Sequence, residues 1–107
     1  MASIVVVSTT LPIEWTLQQI TELKTNLISQ QLAACVQSTK INSTYSWQGE
    51  IVSEDEWRLT IKTSQNRQES LISTLVESHP YDVPQIVHRL EETSPEYSDW
   101  VKQQVGE

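Results

Sequence analysis

The chain has 107 residues, a length that supports a single hydrophobic core, so we expect one domain covering residues 1–107. Its 14 acidic residues outnumber 7 basic ones, and the formal net charge is −7. Because phosphate binding needs clustered Lys and Arg, which this chain lacks, we expect no nucleic-acid partner. No apolar run reaches the ~18 residues of a membrane span and no basic leader is present, so we expect a cytoplasmic protein without a membrane partner.

The first two elements are predicted to be a strand and a helix. Residues Ile4 to Ser8 are apolar on both faces, which is typical of a strand that is buried on both sides. Pro12 suits the first position of a helix and Glu14 suits the positive end of its dipole, so we expect a helix from Pro12 to about Leu32. Leu17, Ile20, Leu23 and Leu27 mark one face of this helix.

A long β-hairpin is predicted next. Its arms, Cys35 to Trp47 and Glu54 to Thr63, are rich in β-branched and aromatic residues and flank a turn cluster at residues 48–50. At ~3.3 Å per residue each arm spans roughly 30 to 40 Å, about twice the common strand length. The apolar positions of the first arm change parity between Val36 and Ile41, so we expect a bulge or a break near Ser38 to Lys40. Trp57, Leu59 and Ile61 form one apolar face of the second arm.

A second helix is predicted after the hairpin. Asn66 and Glu69 have the N-x-x-E spacing of a capping box. Because a residue that precedes proline disfavours the helical conformation, this helix is expected to end at His79, before Pro80. Its buried stripe consists of Leu71, Ile72, Leu75 and Val76.

The last two elements are predicted to be a strand and a short helix. Pro84 opens a strand from Gln85 to Glu91, in which Ile86, His88 and Leu90 share a face. Ser94 followed by Pro95 is a typical helix start. The last helix has Tyr97, Trp100 and Val101 on one side.

The element order is β-α-β-β-α-β followed by a helix, which indicates an α+β, ferredoxin-like sandwich with an extended hairpin between its second and third strands. Right-handed crossovers place both crossover helices on one face of an antiparallel sheet. The other face is then bare and carries Val5 or Val7. A bare apolar face beside an overlong hairpin predicts a closed oligomer.

Five segments carry a recognisable pattern: 32–36 (LAACV), 45–50 (YSWQGE), 61–63 (IKT), 79–84 (HPYDVP) and 97–100 (YSDW). In this order and spacing they resemble the CutA family of divalent-cation tolerance proteins. The resemblance implies a ferredoxin-like subunit with PII-like architecture, a tight homotrimer with clefts between subunits, and a role in tolerance to copper and other divalent cations. No catalytic reaction comes with the family.

The chain departs from the family pattern at two places that matter for metal binding. Ser8 or Thr9 stands where many bacterial members have a cysteine, and Gln85 stands where the motif continues with glutamate. Thiolate and carboxylate bind cations more strongly than hydroxyl or amide groups. We therefore expect no required cofactor, and at most a weakly bound copper or other divalent ion.

His79 is the candidate metal ligand, because a neutral imidazole binds copper, nickel or zinc. The alternative is that it caps the second helix through the helix dipole. His88 alternates with apolar residues and is expected to be a core or interface histidine. The run 54–56 (EDE) is interpreted as a solvated strand entry or as a loose metal contact.

Other residues are candidates for a ligand cleft or for subunit contacts. Lys62 is expected either to bind an anion in a subunit cleft or to pair with a carboxylate. Tyr81 and Trp47 either line that cleft, together with Gln85, or anchor the interface between subunits. Tyr45 is expected at the interface. Cys35, in an apolar context, is also expected at the interface, as a packed inert thiol, with a reactive or metal-binding thiol as the alternative.

We expect a non-enzymatic protein, because the sequence shows no nucleophile-and-base pair, no glycine-rich phosphate loop and no C-x-x-C motif. The functional prediction is a homotrimer that acts in divalent-cation tolerance or response. One alternative is a PII-like protein that binds a small molecule or anion through Lys62, His79 and Tyr81. The other is a trimeric interaction scaffold.

Overall fold

The structure, a computed structural model, describes residues 2–107. Its strands are β1 (Ser3–Pro12), β2 (Cys35–Trp47), β3 (Glu50–Thr63) and β4 (Ile86–Glu92), and its helices are α1 (Leu17–Ser29), α2 (Gln68–Ser78) and α3 (Pro95–Gln104). The strands form one antiparallel sheet in the order β2-β3-β1-β4. This confirms the predicted α+β, ferredoxin-like arrangement with a C-terminal helix. No helix within residues 2–107 is long and apolar enough to cross a membrane.

The start of α1 differs from the prediction. Pro12 is the last residue of β1, because pairing with β3 continues along β1 as far as Pro12, so the expectation that Pro12 opens the helix is wrong. The helix begins after Thr16, whose hydroxyl accepts a hydrogen bond from the Gln19 N–H at 3.1 Å. The Gln19 side chain accepts one from the Thr16 N–H at 2.8 Å, which completes a capping box. The helix ends at Ser29, before the predicted Leu32.

The hairpin has a continuous register along the whole of β2, up to Trp47 opposite Glu50. The predicted bulge at Ser38 to Lys40 is therefore wrong. Val36 packs on the helix side of the sheet, whereas Ile41 has the opposite parity and faces the other side. The apolar parity changes without a bulge because the outer part of β2 extends away from α1 and α2, so its apolar side chains are no longer required to face them.

The hairpin turn contains only Gln48 and Gly49, and β3 begins at Glu50 instead of the predicted Glu54. Both turn residues have positive φ, 52° and 81° respectively. Positive φ at both central positions defines a type I′ turn, whose twist matches that of the flanking strands.

The two faces of the sheet are covered by different helices. Val5 and Val7 are fully buried in a core that also contains residues of α1 and α2, so the prediction that a bare face carries them is wrong. Ile4 and Val6 point to the other face, where they pack against α3. α3 covers one end of that second face, where it packs against the end of β1 that holds Ile4 and Val6. The main core contains Leu11, Ile20, Leu27, Trp57, Leu59, Ile61, Leu71 and Leu75.

The start of α2 also corrects a prediction. Residues Gln65–Arg67 form a single 3-10 turn, and α2 follows without a side-chain cap. The predicted capping box of Asn66 and Glu69 is wrong, since the Asn66 side-chain NH2 donates to Glu107 at 2.6 Å. The helix ends before His79, as predicted.

Three other expectations concern burial and capping in the second half. Val76 was expected in the buried stripe of α2 but is 55% exposed. His88 is exposed on β4, so the core role predicted for it is wrong, while the interface role stays a prediction. The start of α3 is confirmed, because the Ser94 hydroxyl accepts from the Tyr97 N–H and Pro95 is the first helical residue.

We expect substitutions in the hairpin turn to change stability in opposite directions. Gly49→Ala should lower the free energy of unfolding by about 1–2 kcal/mol, the usual penalty for an L-residue with positive φ. No steric clash adds to this penalty, because a Cβ at Gly49 meets no atom within 4 Å. Gln48→Asn should raise it slightly, because Asn tolerates positive φ. Urea unfolding at equal protein concentration measures both changes, and a Gly49→Ala protein of unchanged stability would contradict the turn assignment.

Candidate functional site

A cleft of about 500 Å³ lies on the second face of the sheet, at the end opposite to α3. It is bounded by β1, by the hairpin and by the loop that joins α2 to β4. Three of the four residues predicted for a ligand cleft, Trp47, Tyr81 and Gln85, meet here. The remaining lining residues are Thr10, Tyr45, Glu54, Glu56, Pro80, Asp82 and Val83.

Glu56 forms the base of the cleft. Only 6% of its surface is exposed, so the interpretation of the acidic run as a solvated strand entry is wrong for this residue. The Tyr81 hydroxyl donates a hydrogen bond to Glu56 Oε2 at 2.8 Å. Burial raises the pKa of Tyr81 above its usual value of 10.0, and the hydrogen bond to Glu56 adds to this effect. Tyr81 is therefore a stable hydrogen-bond donor at physiological pH.

A second tyrosine–carboxylate pair lies farther out on the hairpin. The Tyr45 hydroxyl donates to Glu54, and this hydrogen bond is the main cause that raises the pKa of Tyr45 to about 12. Both residues are exposed. Only the carboxylate half of each pair could be predicted from the sequence, because Glu54 and Glu56 are two residues apart on one strand and therefore share a face. Nothing in the sequence placed a tyrosine beside each carboxylate.

His79 connects the α2–β4 loop to β1 through its Nε2 atom, while its Nδ1 atom is bonded within the loop. Nε2 lies 2.9 Å from the carbonyl oxygen of Thr10 and 3.1 Å from the Thr9 hydroxyl, while Nδ1 accepts a hydrogen bond from the Tyr81 N–H at 3.2 Å. This set of partners fits the neutral tautomer in which Nε2 carries the proton and donates it to the carbonyl. Neither nitrogen has a free lone pair in this arrangement, so a metal must displace one of these bonds.

Burial also affects the protonation of His79. Desolvation lowers its pKa below 6.5, although the hydrogen bond to the Thr10 carbonyl and the charge of Glu56 act in the opposite direction. The neutral ring, which is the form that coordinates metals, therefore persists to lower pH than in a free histidine.

The other predicted site residues lie away from the cleft. Lys62 is at the far end of β3, opposite Cys35 of β2, and its Nζ lies 5.7 Å from the centre of the Tyr97 ring. Cys35 is half-buried. Within one chain, the structure therefore separates Lys62 from Trp47, Tyr81 and Gln85.

The cleft is acidic. Glu54, Glu56 and Asp82 line it, and no Lys or Arg is among its lining residues. Across the described part of the chain, no group of three His, Cys, Asp or Glu side chains is arranged to hold a metal ion. The cleft therefore favours positively charged ligands, without forming a complete metal site from one chain.

Comparisons with known proteins agree with the fold and with each other. The family described as CutA1 divalent ion tolerance protein matches residues 5–104. The chain is similar to the divalent-cation tolerance protein CutA of Thermus thermophilus, with 38% identity over 82 residues, which cover 75% of this chain and 80% of that protein.

Two solved structures are also similar to this chain. CutA from Synechococcus elongatus PCC7942 gives a TM-score of 0.88 at 30% identity and covers 99% of this chain and 93% of its own. The PII-like protein CutA from Nostoc sp. PCC 7120 gives a TM-score of 0.81 at 32% identity, with 94% of this chain and 96% of its own covered.

We expect the two tyrosine–carboxylate pairs to differ in their effect on stability. Tyr81→Phe leaves the buried Glu56 without its hydrogen bond and should lower the free energy of unfolding by about 1–2 kcal/mol. Tyr45→Phe is the matched control and should have a smaller effect, since water replaces the hydroxyl at an exposed carboxylate. Urea unfolding of both variants makes the comparison. Equal effects would show that Glu56 does not depend on Tyr81.

Proposed function

Because the chain belongs to the CutA1 divalent ion tolerance family and shares its PII-like fold, we propose that it is a homotrimeric, non-catalytic, cytoplasmic protein that responds to divalent cations, copper among them. The observation that carries this proposal is the acidic cleft, in which three carboxylates occur without a basic side chain. Carboxylate oxygens attract and ligate cations, and an acidic cleft raises their local concentration.

The proposed cation binding is weak. Glu56 already accepts a hydrogen bond from Tyr81, and Glu54 accepts one from Tyr45. His79, the predicted ligand, uses both ring nitrogens within the chain. An incoming copper ion must break at least one of these hydrogen bonds, and the loss of that bond lowers the net free energy of copper binding. Weak, exchangeable binding suits a protein that responds to the concentration of an ion.

The two alternative functions are less well supported by this geometry. An anionic metabolite is disfavoured by the three carboxylates of the cleft, and Lys62 lies at the opposite end of β3. An anion site that includes Lys62 requires residues from a second subunit. A trimeric scaffold without a ligand leaves the acidic cleft without a role. The proposal includes no catalysis, and the strongest candidate base, His79, is held by backbone groups.

The trimer is supported by apolar surface that the single chain leaves uncovered on the hairpin. Ile51, next to the hairpin turn, is 82% exposed. Tyr45 and Trp47 use part of their surface in the cleft but remain 39% and 44% exposed. An exposed, aromatic and aliphatic strand pair needs a partner surface to avoid aggregation. We assign Ile51 to the trimer interface together with the predicted residues Tyr45, Trp47 and Cys35.

We expect Ile51→Lys to weaken the trimer, because it places a charge in an apolar subunit contact. Val76→Lys is the matched control, since Val76 is an exposed aliphatic residue of α2 (55% exposed) away from the hairpin. Light scattering at micromolar concentration should show a trimer for the native protein and for the control, and smaller species for Ile51→Lys. A native protein that is monomeric under these conditions refutes the assembly part of the proposal.

We expect copper to bind with micromolar or weaker affinity at pH 7.5, and His79→Ala to reduce that affinity at least about tenfold. His88→Ala is the matched control, because His88 is the other histidine of the chain and is exposed on β4. Since the pKa of His79 is lowered, binding should start to fall only below the ~6.5 of a free histidine. Calorimetric titrations between pH 7.5 and 4.5 measure both effects. Nanomolar binding that persists in His79→Ala would place the site elsewhere.

A further inference from the structure

The second face of the sheet has an acidic end and a basic end. Lys62 lies opposite Val6, which packs against α3 on this face. Glu56 precedes Lys62 on β3 by an even number of positions, so the two residues share this face. At ~3.3 Å per residue their Cα atoms are about 20 Å apart. The carboxylate and the ammonium group therefore cannot meet within one chain.

Glu56 lacks a cation within residues 2–107. It is 6% exposed, and Tyr81 donates a hydrogen bond to its Oε2 atom. Every buried side-chain nitrogen or oxygen in this part of the chain has a hydrogen-bond partner, so the unbonded Oε1 atom opens into the cleft. The one ion pair among these residues joins Arg89 and Glu91. Because a buried carboxylate without a cation loses hydration without compensation, Glu56 favours a positively charged partner.

Lys62 forms no ion pair within the described part of the chain. Its side chain is half-buried, and its Nζ atom lies 5.7 Å from the centre of the Tyr97 ring. The other two basic side chains without a polar or aromatic partner, Arg58 and Lys102, are exposed. Lys62 is thus the half-buried cation that lacks a counter-ion. Four basic side chains have partners: Lys24 bonds to Ser38, Lys40 lies over Trp57, Arg67 bonds to the Val105 carbonyl, and Arg89 pairs with Glu91.

A cyclic trimer brings different ends of its subunits together. Its interfaces are heterologous, which means that one surface of a subunit meets a different surface of the next. At the acidic end, the hairpin presents the partly exposed rings of Tyr45 and Trp47. At the basic end, Tyr97 stacks on Trp100 at 5.6 Å, and Trp100 is 42% exposed. The two ends carry opposite charges and aromatic surface, so they are complementary in a head-to-tail contact.

We propose that Lys62 of the partner subunit enters the cleft and pairs with Glu56, so that two subunits complete each cleft of the trimer. The ammonium group bonds to Oε1, while Tyr81 keeps Oε2. This pairing rests on the trimer of the proposed function. One contact then provides a partner for two groups that lack one in the single chain. Glu54 and Asp82 remain at the cleft for divalent cations.

The test measures how fast subunits exchange between unlabelled and isotope-labelled trimers, which native mass spectrometry follows through trimers of mixed mass. Changes at an interface act mostly on the dissociation rate. Lys62→Met removes the charge and leaves Glu56 without a cation, so it should speed exchange at least about tenfold. Glu56→Gln keeps an acceptor for Tyr81 and should have a similar effect. Lys62→Arg keeps the charge and should exchange more slowly than Lys62→Met.

The double variant shows whether the two side chains meet. If they pair, Glu56→Gln combined with Lys62→Met exchanges no faster than the faster single variant, because the contact is already lost. Glu56→Gln combined with Lys102→Met is the matched control, since Lys102 is an exposed lysine of α3, and should exchange as Glu56→Gln does. Effects of the Glu56 and Lys62 changes that multiply, or a native exchange rate in Lys62→Met, overturn the proposal.

A second variant covers the case in which Glu56→Gln does not fold, as judged by circular dichroism. Glu56→Asp keeps the charge but shortens the side chain by one methylene group, and it takes the place of Glu56→Gln in the same double variants. The pairing and the proposed function fail in different ways. A monomeric native protein refutes both the trimer and the pairing. A native trimer in which Glu56 and Lys62 act independently refutes the pairing alone.

Discussion

The structure depends on the difference in length between the hairpin and the strands beside it. β3 has two hydrogen-bonded neighbours only from Glu56 to Lys62, where it pairs with both β1 and β2. From Glu50 to Asp55 it pairs with β2 alone. The outer hairpin is therefore a two-stranded ribbon beyond the helices, and its apolar side chains are only partly covered within the chain. Both the exposed Ile51 and the position of the cleft follow from this geometry.

The cleft forms at the point where the four-stranded sheet becomes a two-stranded ribbon. Glu56 is the first residue of β3 that has β1 beside it, opposite Pro12, and the α2–β4 loop passes over the same point. His79 joins that loop to β1, and Tyr81 joins it to Glu56. The loop is thereby fixed at two strands, β1 and β3.

The sequence by itself determined the element order, the ferredoxin-like class and the family, because hydrophobic periodicity and the family segments are local properties. Trp57, Leu59 and Ile61 were correctly placed on one buried face by their alternation. Errors occurred where a longer-range contact overrides a local preference. Pro12 has the chemistry of a helix start but is held in β1 by pairing with β3. Asn66 has the spacing of a capping residue but bonds to Glu107 instead.

Only the tertiary structure decided what the acidic run and the histidine do. A run of three acidic residues is usually solvated, and Glu56 is buried because strand pairing and the Tyr81 loop close over it. Nδ1 of His79 is bonded to the N–H two residues away, and Nε2 lies next to a carbonyl about 70 residues away in the chain. No local pattern encodes the second contact. Lys62 and Tyr81 were predicted to share one cleft but lie at opposite ends of the sheet. Tyr81 is bonded to Glu56, and Lys62 lies farther along the same strand, β3, at its other end. Local sequence fixes which face a side chain takes, while pairing between distant segments fixes which side chains meet.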